Sequence, residues 1–329
     1  MKVLIVRTSS LGDLIHMLPA ISDMAAHVPG LELHWAVEEA FAEIPRWHRA
    51  VQEVVPVAHR RWRKSWFSAQ SRQERAHVVQ AIRAAQYDLV LDMQALLKSI
   101  WLVRAASGVK HGLDWRSARE PLCTLFYNVR HRVAFWQPAV TRQRLLAAAA
   151  FGYQTEAQPD FGLDHFKVSQ LATRHTAPYA VIMPSASKED KLWPASSWAQ
   201  VFDRLQEAGL ELVLLAGNES EARRADALIA HRPGARVQPK SELTQLAQLM
   251  AGARLMVGLD SGLTHLSAAL GVDTIGIYKA STPVRTPLVG TGYTASLGDR
   301  GKEPDCKLVL QSIEQALKPK SSLQAQSNA

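Results

Sequence analysis

Cysteine is nearly absent: only Cys123 and Cys306 occur in 329 residues, far apart in the chain. That spacing gives no disulfide framework and fits a reducing compartment. No uninterrupted apolar run approaches the roughly 18 residues that a membrane-spanning helix needs. The first residues read as a strand and lack the long apolar core and small-residue cleavage site of a signal peptide. Gly-x-Gly-x-x-Gly is missing after that strand. Gly290-Thr291-Gly292 comes too late and precedes no long helix, which argues against a nicotinamide or flavin enzyme. Gly-x-x-x-x-Gly-Lys-Ser/Thr is missing too. So is any Asp-x-Asp, the usual carboxylate clamp for a metal on a nucleotide diphosphate. Histidines and cysteines show no zinc spacing, so neither a metal site nor a cofactor is expected.

What is present begins with the first twenty residues. Lys2-Val3-Leu4-Ile5-Val6 is a short, β-branched run suited to a buried parallel strand. A polar turn, Arg7 to Asp13, leads into Leu14, Ile15, Leu18, Ile21 and Met24 at helical spacing. Asp13 thus falls in the first helical turn, at the carboxyl end of a strand, where open α/β sheets bind ligands. Capping by Ser9 or Ser10, with Asp13 complementing the helix dipole, is the alternative use of the same residues. Strands are expected again at 31–37, 53–57, 87–92, 179–183, 211–215, 255–259 and 274–278, with helices between. Lys110 to Trp115 reads as a loop. The length, the low periodicity of 154–177 and the second strand–helix series point to an α/β protein of two doubly wound, Rossmann-like domains facing across a ligand-binding cleft. They are placed at 1–165 and 176–310.

Three features could carry chemistry. Asp260-Ser261-Gly262-Leu263-Thr264-His265 sits where a strand turns into a helix, so its outward N–H groups favour an anion such as a diphosphate. An N-cap with a satisfied histidine is the alternative, and Asp260 and His265 need not face one ligand. Ser187 and Lys191 add a hydroxyl and an ammonium suited to phosphate, and Glu221 could accept from ribose hydroxyls or be merely solvated. The net charge is +8, and residues 60–75 hold six Lys or Arg against one acid, Glu74, with Trp62, Trp66 and Phe67 interleaved. Arg suits carboxylates and phosphates, and Trp suits a membrane interface. A solvated basic face and nucleic acid are the other readings, the latter disfavoured by so short a patch on an enzyme scaffold. With little acid nearby, this stretch is expected to be mobile until an anion binds, Trp62 and Trp66 then leaving water.

These stretches, with Lys110-His111-Gly112-Leu113-Asp114-Trp115, Ala118-Arg119-Glu120-Pro121-Leu122 and Asp190-Lys191-x-Trp193-Pro194, make the chain resemble the lipopolysaccharide heptosyltransferases. These are ADP-heptose-using glycosyltransferases of the two-Rossmann GT-B fold. The basic-Trp segment points to their type I group. The resemblance implies inverting transfer of L-glycero-D-manno-heptose from ADP-heptose to the first Kdo of Kdo-lipid A, without a metal. It implies that Asp13 is the general base. Ser187, Lys191, Glu221, Asp260, Ser261, Gly262, Leu263, Thr264 and His265 would bind the donor, and Arg60, Arg61, Arg63, Lys64 and Arg119 the acceptor. It also implies that residues 311–329 form a terminal helix packing back toward the N-terminal domain, then a frayed tail. The enzyme would work in the cytoplasm, peripherally on the anionic inner membrane and without nucleic acid. Alternatives are a heptosyltransferase with a later core acceptor and a non-catalytic anionic-glycolipid or nucleic-acid binder. Where the family usually has threonine, Ala186 and Ser261 stand; after Tyr278 it usually has Gly-Pro-Thr-Asp-Pro, against Lys279-Ala280-Ser281-Thr282-Pro283 here.

Overall fold

The computed structural model describes residues 1–155, 158–168, 177–185 and 189–319, with the backbone alone at 167 and 168. Its contacts divide it into two units, Met1–Leu163 and Asp164 onward. Ser187 lies outside the described residues.

The first unit runs β1 (Lys2–Val6), α1 (Leu11–Ile15), α2 (Leu18–His27), β2 (Glu32–Glu38), α3 (Glu43–Trp47), β3 (Val51–Val57), α4 (His59–Trp62), α5 (Ala69–Ala84), β4 (Leu89–Asp92), α6 (Ile100–Ala105), β5 (Val109–Leu113), β6 (Val129–His131) and α7 (Ala139–Phe151). All its strands pair in parallel, in the order β3-β2-β1-β4-β5-β6. Val3 to Val6 are fully buried because β1 lies mid-sheet with helices on both faces, and Ile5 pairs with Trp35 on one side and Leu91 on the other. A buried ion pair, Arg144 to Asp23 at 2.7 and 3.0 Å, ties α7 to α2. Gly152 ends α7 at φ 77°, a left-handed conformation open to glycine.

The second unit runs α8 (His165–Val168), β7 (Tyr179–Met183), α9 (Ala195–Glu207), β8 (Glu211–Leu214), α10 (Glu219–Ile229), β9 (Ala235–Val237), α11 (Leu243–Ala251), β10 (Leu255–Leu259), α12 (Gly262–Ala269), β11 (Thr274–Tyr278), β12 (Thr294–Gly298) and α13 (Cys306–Leu317). Its sheet, also parallel, is ordered β12-β11-β10-β7-β8-β9. Each sheet therefore reverses its winding once, between β1 and β4 in the first and between β7 and β10 in the second. Crevices open at the carboxyl ends of those strand pairs. The fold class is the expected α/β, doubly wound twice.

One expectation needs correction. Lys110 to Leu113 are strand rather than loop. Gly112 lets the strand pass against Tyr127, whose ring a Cβ there would strike at 2.4 Å. The C-terminal helix begins at Cys306, and Val309, Ile313 and Ala316 belong to the second unit's own core, with Trp198, Val201 and Phe202. We expect Ile313→Ala to destabilise the second unit by about 2–5 kcal/mol, the cost of a core cavity. Urea unfolding should show the loss in the second unit's transition alone.

Candidate functional site

At the first switch point the turns after β1 and β4 are stitched together. Buried Asp92 ends β4 and accepts from Gln94 N at 2.8 Å, Ala95 N at 3.0 Å and Tyr127 Oη at 2.7 Å. Burial raises its pKa, and these donors only partly offset that. Gln94 Oε1 then accepts from Thr8 N and Oγ1 at 2.7 and 2.8 Å. Arg7 donates through Nη1 to Met93 O and through Nη2 to Asp13 Oδ1, the latter at 2.7 Å. Asp13 Oδ2 accepts from Ser10 N at 2.9 Å and Ser10 Oγ at 2.7 Å. The helix-capping use of Asp13 is therefore present in the geometry. The side chain is still 41% exposed, while Arg7 is 11%. Partial burial would raise the Asp13 pKa, but the Arg7 charge and the Ser10 bonds outweigh it and hold the carboxyl below its usual range. A carboxylate has about four lone-pair positions, so Oδ1 keeps one free toward solvent.

The basic segment is better balanced by carboxylates than its composition implies. Arg61 is clamped between Glu39, at 3.1 Å, and Glu74, at 2.7 Å. Trp62 is buried, donates to Glu74 at 2.6 Å and packs on Trp101. Glu39 precedes the segment by twenty residues and meets it because β2 and β3 are neighbours. Arg60 donates its N–H to Glu38 at 3.0 Å, and its guanidinium lies over Phe41. Trp66 is 44% exposed beneath the Arg75 guanidinium. Arg63, Lys64 and, on another loop, Arg119 are exposed and take no carboxylate partner among the described residues.

At the second switch point Lys191 Nζ reaches across from the β7 side to Asp260 Oδ2 at 2.9 Å and to Asp260 O at 3.2 Å. His265 Nε2 contacts Asp260 Oδ1 at 3.3 Å, so the two do meet. Ser281 donates to Asp260 Oδ2 at 2.5 Å. Burial alone would raise the Asp260 pKa; the His265 and Ser281 bonds and the Lys191 charge drive it far below the usual carboxylate range. Ser281 escaped sequence reading, although its place just past β11, beside β10, was a usable signal. Ser261 caps α12, and its Oγ lies 3.0 Å from Thr264 Oγ1. Thr264 Oγ1 donates to Leu259 O at 2.6 Å. Gly258 makes room for that hydroxyl, which a Cβ would meet at 2.7 Å. Gly262 and Leu263 form the half-buried first turn, where free N–H groups attract an anion. Glu221 stands apart at the start of α10, its oxygens accepting from Gly217 N at 2.8 Å and Asn218 Nδ2 at 2.9 Å.

Residues 75–315 match the model of glycosyltransferase family 9 (heptosyltransferase). The lipopolysaccharide heptosyltransferase 1 of Salmonella typhimurium is 45% identical over 286 residues, covering 86% of this chain and 90% of that protein. The structure of E. coli heptosyltransferase WaaC with ADP superposes with a TM-score of 0.89 at 40% identity, covering 96% of this chain and 100% of that one. WaaC with ADP-2-deoxy-2-fluoro heptose gives 0.86 at 40% identity, over 96% and 99% of the two chains. The pair of Rossmann-like units is thus the GT-B architecture.

The depressed Asp260 carboxyl makes a signed statement about stability. Its contribution is complete above the ordinary carboxylate pKa, near 4, and is lost as pH falls toward the native value. Asp260→Asn should cost about 2 kcal/mol at pH 7. Denaturant titrations from pH 7 downward should show the gap to wild type constant to about pH 5 and shrinking below about pH 4.

Proposed function

Because the chain belongs to glycosyltransferase family 9, the heptosyltransferases, we propose that it moves L-glycero-D-manno-heptose from ADP-heptose to the first Kdo of Kdo-lipid A, with inversion, in lipopolysaccharide inner-core synthesis. The observation that carries this reading is the 45% identity, over most of both chains, to a protein named lipopolysaccharide heptosyltransferase 1. Donor binding is assigned to the second unit. Lys191 and the α12 N-terminus, Asp260 to His265 with Ser187, hold diphosphate and heptose, and Glu221 takes the ribose. Lys191 and the helix N–H groups also stabilise the charge that develops on the departing diphosphate.

Asp13 is assigned as base. Its free Oδ1 position takes the acceptor hydroxyl's proton as that oxygen bonds to the anomeric carbon and the bond to diphosphate breaks. Arg7 makes the carboxylate a weak base, which suits a displacement with early leaving-group departure and late proton transfer. Position then counts for more than basicity. Arg60, Arg63, Lys64 and Arg119 bind the acceptor's anionic groups. Arg61 reaches them only by leaving Glu39 and Glu74. No helix among the described residues is long and apolar enough to cross a membrane. Trp66, Phe67 and Trp115, exposed among these cations, instead suit peripheral contact with the anionic inner membrane face.

The deciding assay is ADP release with Kdo-lipid A against an already heptosylated acceptor. Release with the former only is expected, and preference for the latter would replace this reading with a later core transfer. Asp13→Asn should lower turnover roughly 10²- to 10⁴-fold while ADP-heptose affinity, measured calorimetrically, stays within about twofold.

The basic residues should divide by their ion pairs. Arg63→Ala with Lys64→Ala should raise the acceptor KM about 10-fold, the scale of a charge-assisted contact, and leave the melting temperature unchanged. Arg61→Ala should lower the melting temperature, because it strands Glu39 and Glu74. Thermal melts beside acceptor titrations separate the two.

A further inference from the structure

Lys98 plays no part in the site as assigned so far. It follows β4, in the turn opposite the one that carries Asp13, so it stands on the far lip of the first switch-point crevice. Its ammonium is exposed and donates to Ser9 Oγ at 2.7 Å. No carboxylate pairs with it among the described residues. The charges around it are Glu38 and Asp13 of one sign and Arg60 and Arg7 of the other. Burial, with these two arginines, draws its pKa down, so an ammonium here lacks an anion it could use. The imidazole of His59 lies near enough to feel the Lys98 charge and is kept neutral, its pKa held down to about 4 chiefly by burial. Its Nε2 is buried without a partner.

The turn that presents Lys98 is fixed from both sides. Asp92 holds the N–H groups of Gln94 and Ala95, Gln94 holds Thr8, and Glu120 Oε2 accepts from Leu97 N at 2.6 Å. Gln94 Nε2 also faces Ser9 Oγ at 3.4 Å. A hydroxyl and a cation are thus aimed into one crevice from opposing rigid turns, next to the proposed base.

We propose that Lys98 Nζ and Ser9 Oγ bind the carboxylate of the acceptor's acidic sugar and thereby set the hydroxyl against Asp13. The inference rests on the acceptor reading above and makes Lys98 the residue that selects a carboxylate-bearing sugar. An ammonium–carboxylate pair in this crevice discriminates against a neutral isostere, because loss of the anion leaves the cation unpaired.

The test compares Kdo-lipid A with its carboxyl methyl ester, using wild type, Lys98→Met and Lys98→Arg. In wild type the ester should raise the acceptor KM roughly 10- to 100-fold. Lys98→Met should raise the KM for the free acid by a similar factor and treat acid and ester alike. Lys98→Arg should recover most of the preference, and the ADP-heptose KM should not move in any variant. If Lys98→Met slows both acceptors equally and keeps the wild-type preference, Lys98 only supports the turn and the inference falls. A raised donor KM would place the diphosphate, not the carboxylate, on Lys98 and would equally overturn it. Wild type inactive on Kdo-lipid A would remove the acceptor reading and this inference with it, whereas an active wild type with an indifferent Lys98→Met removes the inference alone.

Discussion

Everything chemical in this molecule depends on the place where each parallel sheet changes its direction of winding. There the connections leave the sheet toward opposite faces, and the strand ends are left with polar backbone that no helix covers. In the first unit that gap is closed by Asp92, Gln94 and Thr8, and in the second by Lys191 and Asp260. The same contacts that satisfy the backbone fix the turns, and the fixed turns aim Asp13, Lys98 and the α12 N-terminus.

Charge is distributed by the same logic. Asp13 and Asp260 are both held ionised, yet with different means and consequences. Asp260 is enclosed by an ammonium, an imidazole and a hydroxyl, and holds them in place. Asp13 is gripped on one side only, by Arg7 and Ser10, and keeps an open edge. Among the cations, Arg61 is already matched by two carboxylates, whereas Arg63, Lys64, Lys98 and Arg119 find none among the described residues. A count of positive residues would rank them together; their partners do not.

The central strands were legible because a strand buried on both faces must be an almost unbroken apolar run, as at Leu4 to Val6 and Leu255 to Leu259. The strands near the sheet edges were not. Val109 to Leu113 contains Lys110, His111 and Gly112, and Val129 to His131 is three residues long and half exposed, so neither carries a period to detect. Asp13, Lys191 and the Asp260 turn could be placed from the strand-to-helix transitions that hold them. The pairing of Glu39 and Glu74 with Arg61, or of Ser281 with Asp260, could not. Such contacts join separate segments, made neighbours by the strand order for Glu39 and Ser281 and by the return of α5 past α4 for Glu74. The burial of Trp62 follows from the same blindness: a tryptophan amid arginines reads as exposed until a carboxylate one helix away is found holding its N–H.

The position of α13 bears on the order in which the protein comes into being. Residues 1–163 are a contiguous unit with their own sheet, so they can fold while the remainder is still being translated. The second unit has no such freedom. Its core needs Val309, Ile313 and Ala316, which leave the ribosome last among its core residues. Until then Trp198 and Phe202, on α9, lack the cover that α13 gives them, so on each nascent chain the second unit completes its core after the first.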